Sequence, residues 1–368
     1  MPAALHSFSF LPLSDIVAQH IMEKFSSFRD PGTGIQPFLA PVPPQERDFF
    51  VTFLTPVRVI VAALRTAVVI VLTLVHFVLV HVIGFLCRPV LPLQDLISWL
   101  GTALLARLAL YAIGFWWVST ELVVRKRGKL PENKWNPRAG DLIVSNWSSW
   151  IEVLWLAYQY NPIFVLPVAN APTALSSTRD ASSISYTPGR KTGTGSAAIS
   201  SVNRVLSSPE VIHGFRQAPS SAPLRSLEDI RRSVRRPVVV FPECTTSNGR
   251  GLLRFTDVFN GASVPAKGYD IFLMCVRYDP PTLSQPSLSH SIPDTTLNPL
   301  RHLFQICTCL SPQSISIRQL PLSESPSSQL FMVNEVCAVL IARLGKMKRI
   351  GFGWEDKYAF LDFYRGRR

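Results

Sequence analysis

Two short stretches of this chain gather side chains that can do chemistry. The first runs Ser145-Asn146-Trp147-Ser148-Ser149-Trp150-Ile151-Glu152. It follows the apolar run DLIV and precedes residues with helical spacing, so it lies where a buried strand hands over to a helix. Ser145 or Asn146 is placed to cap that helix. The second runs Phe241-Pro242-Glu243-Cys244-Thr245-Thr246-Ser247-Asn248-Gly249-Arg250, directly after the β-branched run PVVV. It packs a carboxylate, hydroxyls, an amide and a guanidinium into one turn. Such a turn can offer hydrogen-bond donors to a phosphate oxyanion. Either stretch taken alone can also be a plain capped loop.

The elements that must hold these stretches follow from the pattern around them. GDLIVSN, NPIFVLPVA, PVVVFPE, YDIFLMCVRY and SISIRQL read as strands, and IEVLWLAYQY, Leu227 to Arg236 and Phe331 to Leu344 as helices. Strands alternating with helices argue for an α/β domain. The layout expected is an irregular arm over 1–50, a membrane helical hairpin over 51–120, an α/β domain over 121–345 and a basic tail over 346–368. A short amphipathic helix is expected around Ile16 to Phe25. Residues 171–201, rich in Ser, Thr, Ala and Gly, read as a disordered insertion in the domain.

The hairpin is read from two apolar runs. Thr66 to Cys87 carries no formal charge and as a helix is roughly 33 Å long, enough for a hydrocarbon core of about 30 Å. Arg58 and Arg65 precede it and can snorkel to a headgroup layer. Leu96 to Val118 is interrupted by Arg107 and ends at Trp116 and Trp117, residue types that favour the membrane–water interface. Basic residues flank the outer ends, with Arg125, Lys126, Arg127 and Lys129 after the second run, while the linker carries Arg88. The positive-inside rule then puts both ends in the cytosol.

Composition agrees with a membrane protein. Charged residues are 17% and hydrophobic residues 47% of the 368, against about a quarter charged in an ordinary soluble chain. The net charge of +13 suits anionic phospholipid or an acidic substrate such as a phosphate ester or coenzyme A. No zinc-finger spacing and no aromatic-basic run points to nucleic acid, so no nucleic-acid partner is expected. The six cysteines form no CxxC pair and read as free thiols. No metal site and no resident cofactor is expected.

Together, the two stretches resemble the motifs of the PlsC-type glycerolipid acyltransferases. FPECTTSNGR is similar to the family's third motif, with Cys244 where glycine is usual. YDIFLMCVRYDPP is similar to the fourth, with Arg277 and Tyr278 at matching positions and Leu273 or its neighbour in place of a proline. The second motif has no clear counterpart; Arg204 is the nearest candidate. The hairpin, the arm from Met22 and the ending GFGWEDKYAFLDFY resemble the fungal branch related to lysophosphatidic acid:oleoyl-CoA acyltransferase. The resemblance implies a PlsC-like α/β fold, a mixed sheet flanked by helices behind a membrane hairpin. It implies acyl-CoA as co-substrate, a lysophospholipid as acceptor, and a place at the endoplasmic reticulum membrane or a lipid droplet. Glu243, Thr245, Thr246, Asn248, Arg250 and Arg277 become candidates for the headgroup site, with Arg277 either a phosphate ligand or a partner for Glu243.

The first motif departs from the family. There, a histidine and an aspartate five positions on form the base and its orienting group. Here Trp147 stands at the histidine position and Glu152 at the aspartate position, beside Asn146. An indole N–H is a donor only and accepts no proton. Three outcomes stay open: Glu152 or a loop histidine such as His213 serves as base; positioning alone suffices; or the domain binds lipid without catalysis. A transient acyl-cysteine at Cys244 is a further chemical option. All acyl-transfer readings require the two stretches to face each other across an open pocket.

Overall fold

The computed structural model describes residues 24–43, 49, 53–83, 91–124, 135–169, 194–200, 227–256, 258–259, 268–294, 297–326 and 333–366. Residues 16–23 of the expected amphipathic helix lie outside them. So do Arg88, the basic run after Val123, Arg204, His213 and most of the segment 171–201.

Two long helices come first. Helix α1, Thr55–Phe77, carries Pro56 in its first turn, where its fixed φ and missing N–H are tolerated. It continues as a wider π-type coil over Val78–Ile83. Helix α2 is Leu91–Ile113. Both contain stretches long and apolar enough to cross a membrane, Thr55–Val80 and Leu96–Ile113. Val71, Leu74, Leu104 and Trp117 are among the large apolar side chains left exposed on this hairpin, as expected where lipid rather than water is the solvent.

The arginines of the hairpin differ from expectation. Helix α1 begins well before the charge-free run and takes in Arg58 and Arg65. Their guanidinium groups do not reach outward. Arg58 donates to the carbonyls of Thr308 (3.1 Å) and Ser284 (3.1 Å), and Arg65 to that of Cys309 (2.6 Å). Arg107 likewise turns back on its own helix end and donates to Trp116 O at 2.8 Å. The Thr308 and Cys309 carbonyls lie just past the C-terminus of the helix Leu300–Cys307, where a cation also opposes the helix dipole.

Behind the hairpin lies a seven-stranded sheet in the order β1-β8-β7-β2-β5-β3-β4. The strands are β1 Ser119–Leu122, β2 Leu142–Ser145, β3 Ile163–Ala169, β4 Thr194–Ser200, β5 Val238–Val240, β7 Ile271–Arg277 and β8 Ser316–Gln319. Strands β7, β2, β5 and β3 run parallel; β8 and β4 are antiparallel to their neighbours β7 and β3. Strand β4 lies inside the segment expected to be disordered. Alternation sends Ile143, Val239, Phe272 and Met274 to one core, and Leu142, Val144, Val238 and Leu273 to the other. Burial on both faces explains why these strands read as unbroken apolar runs.

Helix α3, Trp150–Tyr160, covers the first face, with α5, Leu300–Cys307, contributing to the same core. Helix α6, Val333–Gly345, covers the second. Helix α4, Leu227–Ser233, leads into β5. A small parallel pair, β6 Gly251–Leu252 with β9 Lys348–Arg349, ties the second candidate stretch to the C-terminal region. Within the basic C-terminal region, Trp354–Tyr364 forms helix α7. Phe25, Phe28 and Phe38 of the N-terminal arm pack with Phe352 and Phe360 into a third core. The ring centroids of Phe28 and Phe360 are 5.2 Å apart, edge to face.

Candidate functional site

The carboxyl ends of parallel strands β2 and β5 release the two candidate stretches side by side. Asn146, just past β2, pairs with β7 through its amide: Nδ2 donates to Val276 O at 2.9 Å and Oδ1 accepts from Val276 N at 2.8 Å. It therefore does not cap α3, and neither does Ser145. Ser149 takes that place, with extended backbone and its Oγ accepting from Ile151 N at 3.5 Å. Glu152, in the first turn of α3, accepts the N–H of Ser148 at 3.0 Å. This resembles a capping box drawn one residue outward.

The stretches are joined by direct bonds. Glu243 accepts Trp147 N at 2.6 Å with one oxygen and Leu253 N at 2.7 Å with the other. Ser247 N donates to Trp147 O at 3.0 Å. The remaining candidates of the second stretch also hold structure. Asn248 Nδ2 donates to Gln36 O (2.7 Å) and Leu39 O (2.9 Å) of the arm, and its N–H to Pro37 O. Thr246 receives Lys357 from α7 on its carbonyl and, at 3.0 Å, on its hydroxyl. Thr245 is fully buried, and its hydroxyl has no partner among the described residues. Arg250 is exposed. Arg277 donates to Gly345 O at 2.9 Å, at the end of α6, so Glu243 is not its partner.

The expected open pocket between the stretches is filled. The indole of Trp147 is 1% exposed and stacks on Phe241 with centroids 4.9 Å apart. Its N–H donates to Ser149 O at 3.1 Å. A tryptophan at this position is an apolar plug, and the stretches meet through it rather than across a void. A small cleft lined by Asp279, Pro280, Gln285 and Gln313 contains none of the candidate residues.

The electrostatics follow from this burial. Glu152 is 2% exposed, and desolvation holds its carboxyl well above the usual range, outweighing the Ser148 N–H. Glu243 is pushed up to about 8 by the same cause, against the pull of the Trp147 and Leu253 N–H groups and of Lys357. As found, Glu152 accepts the Ser148 N–H with its carboxylate and so holds the turn into α3. Cys244 is pushed up to about 12 by burial, which removes the thiolate that acyl-cysteine chemistry needs. Its φ of 56° is left-handed, the conformation that makes glycine the easier residue there.

Sequence reasoning missed three groups at this site. Lys357 is fully buried, and burial lowers it to about 7. His290 and His302 are buried with ring centroids 4.5 Å apart. His290 N donates to Ser148 O at 2.8 Å, and Trp150 Nε1 donates to His302 Nδ1 at 3.0 Å. His290 lies in a loop rich in Pro and Ser, while His302 and Lys357 lie on helices α5 and α7, and no local sequence signal marks any of the three.

Comparison with known proteins gives one informative likeness. No family model matches the chain, and no solved structure matches it. Over 343 residues, 93% of this chain and 98% of the other, it is 26% identical to a protein of the fission yeast Schizosaccharomyces pombe. That protein carries the provisional name lysophosphatidic acid:oleoyl-CoA acyltransferase. The similarity supports a general acyltransferase relationship for the chain.

Proposed function

We propose that this protein transfers a fatty acyl group from acyl-CoA to a lysophospholipid, with lysophosphatidic acid as the first acceptor to test. The observation that carries the reading is the near full-length likeness to a protein named for that reaction. The direct docking of Phe241–Arg250 on Ser145–Glu152 beside a membrane-length hairpin supports it. The reaction needs no resident cofactor. The acceptor hydroxyl attacks the thioester carbon, the carbon–sulfur bond breaks, and the proton ends on the CoA thiol. The setting proposed is the endoplasmic reticulum membrane or a lipid-droplet surface, with the domain in the cytosol. The pocket that this reading requires is closed by Trp147 stacked on Phe241, so the reading stands on the indole moving off Phe241 as substrate enters, and a site that stays shut overturns it.

Trp147 favours a second reading, a lipid-binding membrane protein of the same fold that has lost catalysis. The two separate in one assay on purified protein in phosphatidylcholine vesicles with oleoyl-CoA and lysophosphatidic acid. Phosphatidic acid above background from the parent protein supports transfer. A silent parent that gains activity as the double variant Trp147→His, Glu152→Asp supports the lapsed site and overturns the first reading.

A further inference from the structure

A histidine is missing from the first motif, and the backbone of another, from far along the chain, is bonded to that motif. His290 lies in the loop between β7 and α5. Its backbone N–H is bonded to Ser148 O, one residue from where Trp147 stands. Lys357, bonded to Thr246 of the second stretch, acts electrostatically on the same imidazole. His290 therefore sits where both stretches and α7 converge.

The ring is held as a base is held. Nε2 lies 2.7 Å from Asn298 Oδ1. An amide oxygen only accepts, so Nε2 carries the proton and Nδ1 keeps its lone pair. Nδ1 has no hydrogen-bond partner among the described residues. His302, packed against it, has both nitrogens engaged, by Trp150 Nε1 and Ser287 O, and is spent as a strut. His290 is 4% exposed, and burial keeps its imidazole neutral, lowered to about 4.

Resting on the proposed acyl transfer, we infer that His290 is the proton acceptor of this site. Its Nδ1 takes the hydroxyl proton of the acceptor as that oxygen bonds to the thioester carbon. The carbon–sulfur bond breaks with its electron pair on sulfur, and the imidazolium returns the proton to the CoA thiolate. Lys357 on α7, His302 on α5 and Asp294 on the same loop are the titratable groups around the ring. Asn298 fixes its tautomer, the part a carboxylate plays elsewhere.

The test uses the full chain in vesicles with oleoyl-CoA and lysophosphatidic acid. His290→Gln is expected to lower kcat by on the order of 10²–10⁴, with KM within about threefold and the circular dichroism unchanged. Added imidazole is expected to restore His290→Ala at least about tenfold, which a purely structural role does not allow. A His290→Gln kcat within about threefold of the parent overturns the inference. Should position 290 tolerate no change in folding, Asn298→Asp decides. A carboxylate on Nε2–H is expected to move the acid limb of the kcat/KM profile up by about one pH unit or more, and an unmoved limb overturns the inference. A parent inactive on every lysophospholipid fails the proposed function and this inference with it. An active parent with an active His290→Gln fails this inference alone.

Discussion

The carboxylate of Glu243 bridges Trp147 N at 2.6 Å and Leu253 N at 2.7 Å, so one side chain closes the loop between the two candidate stretches. A buried carboxyl that spends both oxygens on backbone donors is an organiser before it is a ligand. Glu243→Ala leaves two buried N–H groups open, each costing about 1–3 kcal/mol. The expected loss is about 2–5 kcal/mol, read from the denaturation midpoint in detergent. A loss under about 1 kcal/mol would mean the bridge is dispensable.

Asn248 predicts a different phenotype. Its amide fastens the arm at Gln36 and Leu39, and its Oδ1 accepts Arg250 N at 3.1 Å. Asn248→Ala is expected to release the arm, with a global loss of about 1–3 kcal/mol. Limited proteolysis should then cut within 30–43 well before the sheet is attacked. Parent-like resistance there would show that the aromatic packing of Phe25, Phe28 and Phe38 holds the arm by itself.

Cys244 stands in left-handed backbone, φ 56°, which costs a non-glycine residue about 1–2 kcal/mol. Its thiol contacts Thr256 Oγ1 at 3.0 Å and is otherwise a small apolar filler. Cys244→Gly is therefore expected to shift stability by no more than about 1 kcal/mol in either direction, while Cys244→Val destabilises by over about 2 kcal/mol. Acyl transfer by Cys244→Gly should match the parent. Its abolition would restore the acyl-cysteine mechanism that the raised thiol argues against.

Lys357 links the site to pH. Its folded-state value of about 7 lies below the 10.5 of an unfolded lysine, so the unfolded chain binds more protons between them. Its contribution to stability is complete above pH 10.5 and is lost as pH falls through 7. Glu243, raised from 4.5 to about 8, works the other way and contributes fully below pH 4.5. Comparing parent with Lys357→Met from pH 8 to 10 reads the lysine together with a part of the same sign from Glu243, whose carboxyl that ammonium helps to lower. The parent is expected to gain stability relative to the variant by up to about 1.4 kcal/mol per pH unit. Parallel curves would place the ammonium in water.

Much of this was legible in the residues. The runs DLIV, PVVV and DIFLMCVR are strands because β-branched and apolar types fill both faces of a covered parallel sheet. Their polar ends mark the turns that carry the site. Other features were set by contacts between residues distant in sequence. Nothing local announces that His290 bonds Ser148, that Lys357 sits under Thr246, or that KYAFLDFY is a helix packed on the arm. Periodicity also could not tell whether Trp147 lines a pocket or fills it; that depended on Phe241 arriving from another strand. The charge-free run Thr66 to Cys87 is plain in the sequence, but that its helix begins at Thr55 is not, because the carbonyl partners of Arg58 and Arg65 lie far along the chain.

Those two arginines give the last test. Snorkelling and domain-tethering make opposite demands on the double variant Arg58→Ala, Arg65→Ala. The pair donates to Thr308 O, Cys309 O and Ser284 O, two of them just past the C-terminus of α5, where a cation also opposes the negative end of the helix dipole. Losing these bonds leaves the carbonyls short of partners at about 0.5–1.5 kcal/mol each, more for charged donors. The expected outcome is a domain weaker by about 2–4 kcal/mol, with amide exchange over 303–311 accelerated at least about tenfold. Retention in vesicles should be unchanged, because the apolar stretch Thr66 to Val80 is untouched. If retention falls while exchange at α5 stays at the parent rate, the guanidinium groups serve the lipid headgroups, and the hairpin is coupled to the domain by packing alone.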